Sequence, residues 1–314
     1  GTVTAFRIVK VISGGAAGAV TLPKDTGYCA NNKTINFQTD VAHIPVYSSN
    51  EADDKYAWTV TGGAFSFVNG TSNASRFPQI SFTESKVYTV KVTFTNLCGP
   101  DTDEQKITLS PALSVNAGPD RTVCYSQDTI RLSGTASNQQ SVSWTTAGTG
   151  SFAQGNNLNS IYTLSGADKT NGTVTLTLQA NQPSGSYCPP LSDNLIVTIR
   201  PNNTGSNSTI TICSGTALNF TPVSSISLST FKWKGLATVG NVTGVTTDGT
   251  GVIKDILVNT SSTQTATVVY TITPVANGCD GVPFTYTVTL LPSPSMSAIL
   301  EKSEICSGSN IRIT

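Results

Sequence analysis

Apolar and polar residues alternate along much of this chain. KVYTVKVTF (86–94), GTVTLTLQA (172–180), TATVVYTIT (265–273) and FTYTVTL (284–290) each set an apolar side chain at every second position. A period of two turns one face of an extended strand to a core and the other to water. Clusters of Gly, Pro, Asn and Ser separate these runs at short intervals, as turns do. The β-branched residues Thr, Val and Ile that fill them suit a half-buried pleated surface. No window sustains the i, i+3, i+4, i+7 spacing of a helix, and SGADKTNG (165–172) is read as a turn at most. The predicted fold class is all-β.

The alternating runs repeat. Cys29, Cys124, Cys213 and Cys306 follow one another at steps of 95, 89 and 93 residues, and Cys98, Cys188 and Cys279 at steps of 90 and 91. Pro111, Pro201 and Pro292 each come 13 residues after a member of the second series. Self-similarity at a fixed period marks an array of like modules, and about 90 residues is the size of one β-sandwich. AFRIVKVI (5–12) lines up with the last strand of the third repeat, PFTYTVTL (283–290). The expected organisation is therefore 1–20, last strand of a preceding module plus a linker; 21–112, 113–202 and 203–293, three sandwich modules; and 294–314, the start of a following one.

Charge narrows the partners. Lys and Arg number 18, Asp and Glu 18, and charged residues make up only 11% of 314, well under the roughly 25% of an ordinary domain. Nucleic acid and anionic membrane both need clustered Lys and Arg, so neither is expected as a partner. No apolar run reaches the length of a spanning helix, and direct membrane insertion is not expected.

Little chemistry stands out. His43 is the single histidine, and no nucleophile motif surrounds it. No C-x-x-C pair offers a metal site. The acidic stretches EADD (51–54) and DTDE (101–104) fall in predicted loops, which makes Asp53, Asp54, Asp101 and Asp103 calcium candidates against a reading as solvated loop charge. Trp58, Trp144 and Trp233 are read as one core anchor per module, with a sugar-stacking platform as the alternative. Tyr88, Tyr162 and Tyr270 are read as core or corner residues. No catalytic residue and no cofactor is assigned.

Several stretches carry a family resemblance. The middle module, with NAGPDRTVC (116–124), WTTAGTGSF (144–152) and YCPPLSDNLIVTI (187–199), resembles a repeat of very large secreted surface proteins of Bacteroidota. The third, with ICSGTALNFTP (212–222) and VVYTITPVANGCDGVPFTYTVTLLP (268–292), resembles their PKD-like domain. The first, with YAWTVTGG (56–63) and VYTVKVTFTNLCG (87–99), resembles a PKD module without its W-x-F-G-D-G turn. The resemblance implies tandem immunoglobulin-like/PKD-like β-sandwiches in an extracellular, cell-surface adhesin or stalk of the gliding-motility type, associated with the outer membrane through its parent protein. Its implied partners are neighbouring modules of the same chain and the type IX export machinery, with surface polysaccharide as a further candidate. The alternative is a carbohydrate-binding module that contacts glycans directly. Asp128-Thr129-Ile130 resembles a short O-glycosylation pattern of such proteins, which makes Thr129 a glycosylation candidate.

In an exported array the cysteines are expected as disulfides. One cysteine of each series per module gives the pairing Cys29–Cys98, Cys124–Cys188 and Cys213–Cys279, with Cys306 left unpaired. An odd number of strand traverses between the two would set them at opposite poles of a module, too far apart to bond. The rival pairing joins adjacent modules, as in Cys29 to Cys188.

Overall fold

The structure, a computed structural model, describes residues 18–293. The strand expected at 5–12 and the module opening that contains Cys306 lie outside the described residues.

The alternating runs form long antiparallel strands. Val87–Asn96 buries Tyr88, Val90, Val92 and Phe94, and Thr173–Asn181 buries Val174, Leu176, Leu178 and Ala180. Ala266–Ala276 and Phe284–Leu290 bury alternate residues in the same way. Each fully buried large apolar side chain contributes about 1.5–3 kcal/mol. A slip of one residue would turn a whole row into water, so burial also fixes the register.

In the first repeat a four-stranded sheet runs in the order Thr26–Cys29, Gly99–Ser110, Val87–Asn96, Lys55–Thr61, and a three-stranded one in the order Lys33–Asn36, Gln79–Phe82, Phe65–Phe67. Side chains from both sheets, among them Ile35, Ile80 and Phe82 on one side and Trp58, Tyr88 and Val92 on the other, form one cluster. Two layers enclosing such a cluster make a sandwich. The second repeat copies this plan, with sheets Arg121–Val123, Leu191–Ile199, Thr173–Asn181, Ser141–Thr146 and Thr129–Arg131, Ile161–Thr163, Ser151–Phe152 around a second cluster. In the third, Ser208–Ile212, Phe284–Leu290, Ala266–Ala276, Thr230–Val239 and Asp248–Thr250 form the larger sheet. Its opposite layer is held by isolated bridges such as Phe220 to Ile253. The all-β expectation holds.

One helix corrects the sequence reading. Gly166–Asn171 is helical because Ser165 and Asp168 cap it reciprocally, side chain to backbone in both directions, and Gly172 ends it at φ 74°. Such a capping box satisfies two donors that a short helix leaves open.

Candidate functional site at the module junctions

Near its start each sandwich carries a short strand that runs parallel to its own closing strand. Thr26–Cys29 pairs with Gly99–Ser110, Arg121–Val123 with Leu191–Ile199, and Ser208–Ile212 with Phe284–Leu290. The register is the same in all three: Tyr28 faces Leu109, Val123 faces Ile199 and Ile212 faces Leu290. A side chain just ahead of each opening strand clasps the closing strand. Asp25 Oδ1 accepts from Lys106 N at 2.9 Å, Asp120 Oδ1 from Ile196 N at 2.8 Å and Asn207 Oδ1 from Thr285 N at 2.8 Å. The sequence reading missed this clasp, although Asp25 and Asp120 each stand four residues before a first-series cysteine.

That parallel pairing decides the disulfides. It carries the first-series cysteine to the pole where the closing strand ends, and Cys29 lies opposite Ser110. Cys98 sits in the hairpin that begins the same strand, where Asn96 faces Gly99. The twelve residues of Gly99–Ser110 separate the two by roughly 35–40 Å at about 3.3 Å per residue, against the 7 Å or less that a disulfide spans between Cα atoms. The expected bonds Cys29–Cys98, Cys124–Cys188 and Cys213–Cys279 are therefore not formed. Cys29 is bonded instead to Cys188 and Cys124 to Cys279, with Cα–Cα distances of 4.5 and 5.5 Å. The closing hairpin of one sandwich folds back onto the exit pole of the sandwich before it. In the chain-entropy account, cross-links across 159 and 155 residues are each worth up to about 5 kcal/mol.

Packing supports the first of these joints. Tyr187 N donates to Ser110 Oγ at 3.0 Å, and the Tyr187 ring lies against Gly27 in the space a Cβ would fill. Any side chain at position 27 would push the ring, and the loop carrying Cys188, off the first sandwich. Ser110, Pro111 and residues 182–186 line a cavity of about 240 Å³ at the same joint.

The other candidates are used within the sandwiches. Asp101 and Asp103 lie in the strand Gly99–Ser110, not in a loop, and Asp101 Oδ2 and Asp103 Oδ2 accept from Val20 N and Leu22 N at 2.9 and 2.7 Å. They hold the incoming chain. Asp54 accepts from Ser49 Oγ and Glu51 N, while Asp53 is exposed. Among the described residues no three His, Cys, Asp or Glu gather as a metal site would require. Thr129 is exposed at the start of Thr129–Arg131, and its neighbour Asp128 is ion-paired to Lys169 at 2.6 Å. Trp58, Trp144 and Trp233 are core residues, no more than 6% exposed. Their Nε1 atoms donate to the carbonyls of Ser75, Asn157 and Gly251. Tyr88, Tyr162 and Tyr270 are fully buried.

Three buried polar clusters, one in each sandwich, were not foreseen. His43 is wholly enclosed; its Nδ1 meets Gln105 Oε1 at 2.8 Å and its Nε2 meets Tyr28 Oη at 2.7 Å. Gln105 Nε2 donates to the carbonyls of Lys24 and Ala42, which leaves Gln105 Oε1 as acceptor and sets the proton on Nδ1. Nε2 then accepts from the Tyr28 hydroxyl. In the second sandwich the buried Asp168 carboxylate accepts from Tyr162 Oη at 2.8 Å and from Ser165 N and Thr149 N at 3.0 Å. Tyr270 Oη donates to Asp255 Oδ2 at 2.6 Å in the third, and burial, with that carboxylate beside it, pushes the Tyr270 hydroxyl pKa well up.

These features define a tandem array of immunoglobulin-like β-sandwiches. Within it, residues 210–294 match the PKD-like domain family. No curated protein sequence matches the chain. Among solved structures, the titin I-band fragment I67–I69 aligns over 90% of this chain and 100% of its own, at 11% identity and a TM-score of 0.44. Mouse cadherin-23 EC22–24 aligns over 90% of this chain and 99% of its own, at 10% identity and a TM-score of 0.32. Among the described residues no helix is long and apolar enough to cross a membrane.

Proposed function

We propose that the chain is a non-catalytic segment of a large repetitive cell-surface adhesin, a stalk of sandwiches at 21–112, 113–202 and 203–293 that holds a distal adhesive region away from the cell. The observation that carries this reading is that both disulfides join one sandwich to the next. A cross-link there adds nothing to a catalytic cleft, but it limits bending at a joint and keeps consecutive modules in line. Surface adhesion or gliding motility, with export by the type IX machinery, is the setting the family resemblance implies. The glycan-contact alternative relied on exposed aromatic faces, and the three tryptophans spend theirs in the cores. Small-angle scattering tests the proposal. Three sandwiches end to end, each roughly 35–40 Å long from the strand rise, give with the joints between them a rod on the order of 110–130 Å. A near-spherical particle overturns the stalk reading.

A further inference from the structure

Two cysteines among the described residues are left as exposed thiols: Cys98 in the first sandwich and Cys213 in the third. Neither is a stray. Cys213 follows Ile212, which faces Leu290 in the same parallel register that sets Cys29 and Cys124 at their exit poles. Both of those equivalents are bonded to the next sandwich. Cys98 occupies the hairpin that opens the closing strand, in the turn from Asn96 to Gly99. Its counterpart Cys279 directly follows the corresponding turn and pairs with Ala276, and both Cys279 and Cys188 are bonded to the sandwich before.

The surroundings match as well. Leu97, just ahead of Cys98, is 63% exposed. It holds the place of Tyr187, which at the formed joint covers Gly27 beside its own cysteine. Among the described residues nothing covers this side-by-side pair of apolar side chain and thiol, whereas the equivalent pair in the second sandwich is docked. At the opposite pole Cys213 stands where Cys29 and Cys124 receive a hairpin.

We propose that Cys98 and Cys213 are the two open halves of the same inter-module staple. Each takes the complementary cysteine of an adjoining sandwich of this kind, Cys213 from the one stacked beyond it and Cys98 from the one stacked before it. The rule is directional: an exit-pole cysteine bonds a hairpin cysteine and never its own kind. It goes beyond the stalk reading and does not depend on it, because it follows from the registers and the two bonds alone. The chemistry is thiol–disulfide exchange. One thiolate attacks a disulfide oxidant such as oxidised glutathione and releases one thiol. The second protein thiolate then displaces the other, so two protein thiols are oxidised as one disulfide is reduced to two thiols.

A second copy of the chain supplies the complementary pole for a test. In a Cys306→Ser background, which removes a third thiol, Cys98→Ser leaves only Cys213 open and Cys213→Ser leaves only Cys98. Each variant is incubated alone, and the two are incubated together, in a buffer of oxidised and reduced glutathione. Dimers are read on non-reducing gels, and peptide mapping checks that Cys29–Cys188 and Cys124–Cys279 stay intact. The expected result is a disulfide dimer in the mixture, mapped to Cys98–Cys213, with each variant alone remaining monomeric. Two results overturn the proposal: dimers of either variant with itself as abundant as in the mixture, or a mixture that stays monomeric.

Discussion

The first and second sandwiches both bury a polar cluster, one built around a neutral base and the other around an ionised acid. In the first, His43 is enclosed in a net of uncharged partners, with Gln105 on one ring nitrogen and Tyr28 on the other. Burial lowers its pKa, against smaller opposing effects of the Gln105 hydrogen bond and the Asp40 charge. In the second, burial acts to raise the Asp168 pKa, but hydrogen bonds from Ser165, Thr149 and Tyr162 together outweigh it and hold the carboxyl below its ordinary value. One site keeps a base neutral; the other keeps an acid ionised. A fold can hide either form, provided the partners present suit the charge that stays.

Removing the carboxylate is the largest perturbation. Asp168→Ala strands the two amides that donate to Asp168 and leaves the Tyr162 hydroxyl only Thr146 Oγ1 as an acceptor, and should cost about 3 kcal/mol or more. Peptide-resolved hydrogen exchange across 173–181 should report it, with the first sandwich unchanged. A loss under about 1 kcal/mol would mean water replaces the carboxylate and the comparison fails.

Acid should then separate the two sites. The folded pKa of His43 lies below its unfolded value, so between the two the unfolded chain binds more protons and stability falls as the pH falls. The first sandwich should weaken as the pH drops below about 6.5, and His43→Gln should flatten that slope. Asp168 is also depressed, so its contribution is full above the unfolded carboxyl value and is lost only below about pH 4. Hydrogen exchange at pH 7.5, 5.5 and 3.5 should show the first sandwich loosening before the second; the reverse order would sink the assignment. The smallest effect belongs to Tyr28→Phe, which leaves His43 Nε2 only the Thr26 hydroxyl at 3.5 Å. It should cost about 1 kcal/mol, visible as a lowered melting temperature of the first sandwich, and no change at all would mean that bond carries nothing.

What was legible in the sequence was what alternation carries. The strands at 86–94, 172–180 and 265–273 were placed within a few residues of Val87–Asn96, Thr173–Asn181 and Ala266–Ala276. The cysteine period was visible too, but the pairing was not. It depends on whether a four-residue strand, TGYC, runs parallel or antiparallel to a partner some 80 residues away, and nothing local in those four residues says which. Asp101 and Asp103 misled for a related reason. Acidic residues in sequence read as a loop, yet alternate side chains of one strand both point at the backbone of the incoming chain. The short helix at Gly166–Asn171 escaped a search for long periodicity because it rests on its cap alone.

The two staples also change what the chain does under load. Cys29 with Cys188 makes one node and Cys124 with Cys279 another. Three lengths of polypeptide, 29–124, 124–188 and 188–279, connect these nodes side by side. Tension applied at residues 18 and 293 is therefore shared, and the shortest length goes taut first. At about 3.4 Å per residue the path through 18–29, 124–188 and 279–293 stops at roughly 300 Å, while the same chain with both bonds reduced pays out to roughly 930 Å. A chain cross-linked in this way gives a little and then holds, even with every sandwich unravelled.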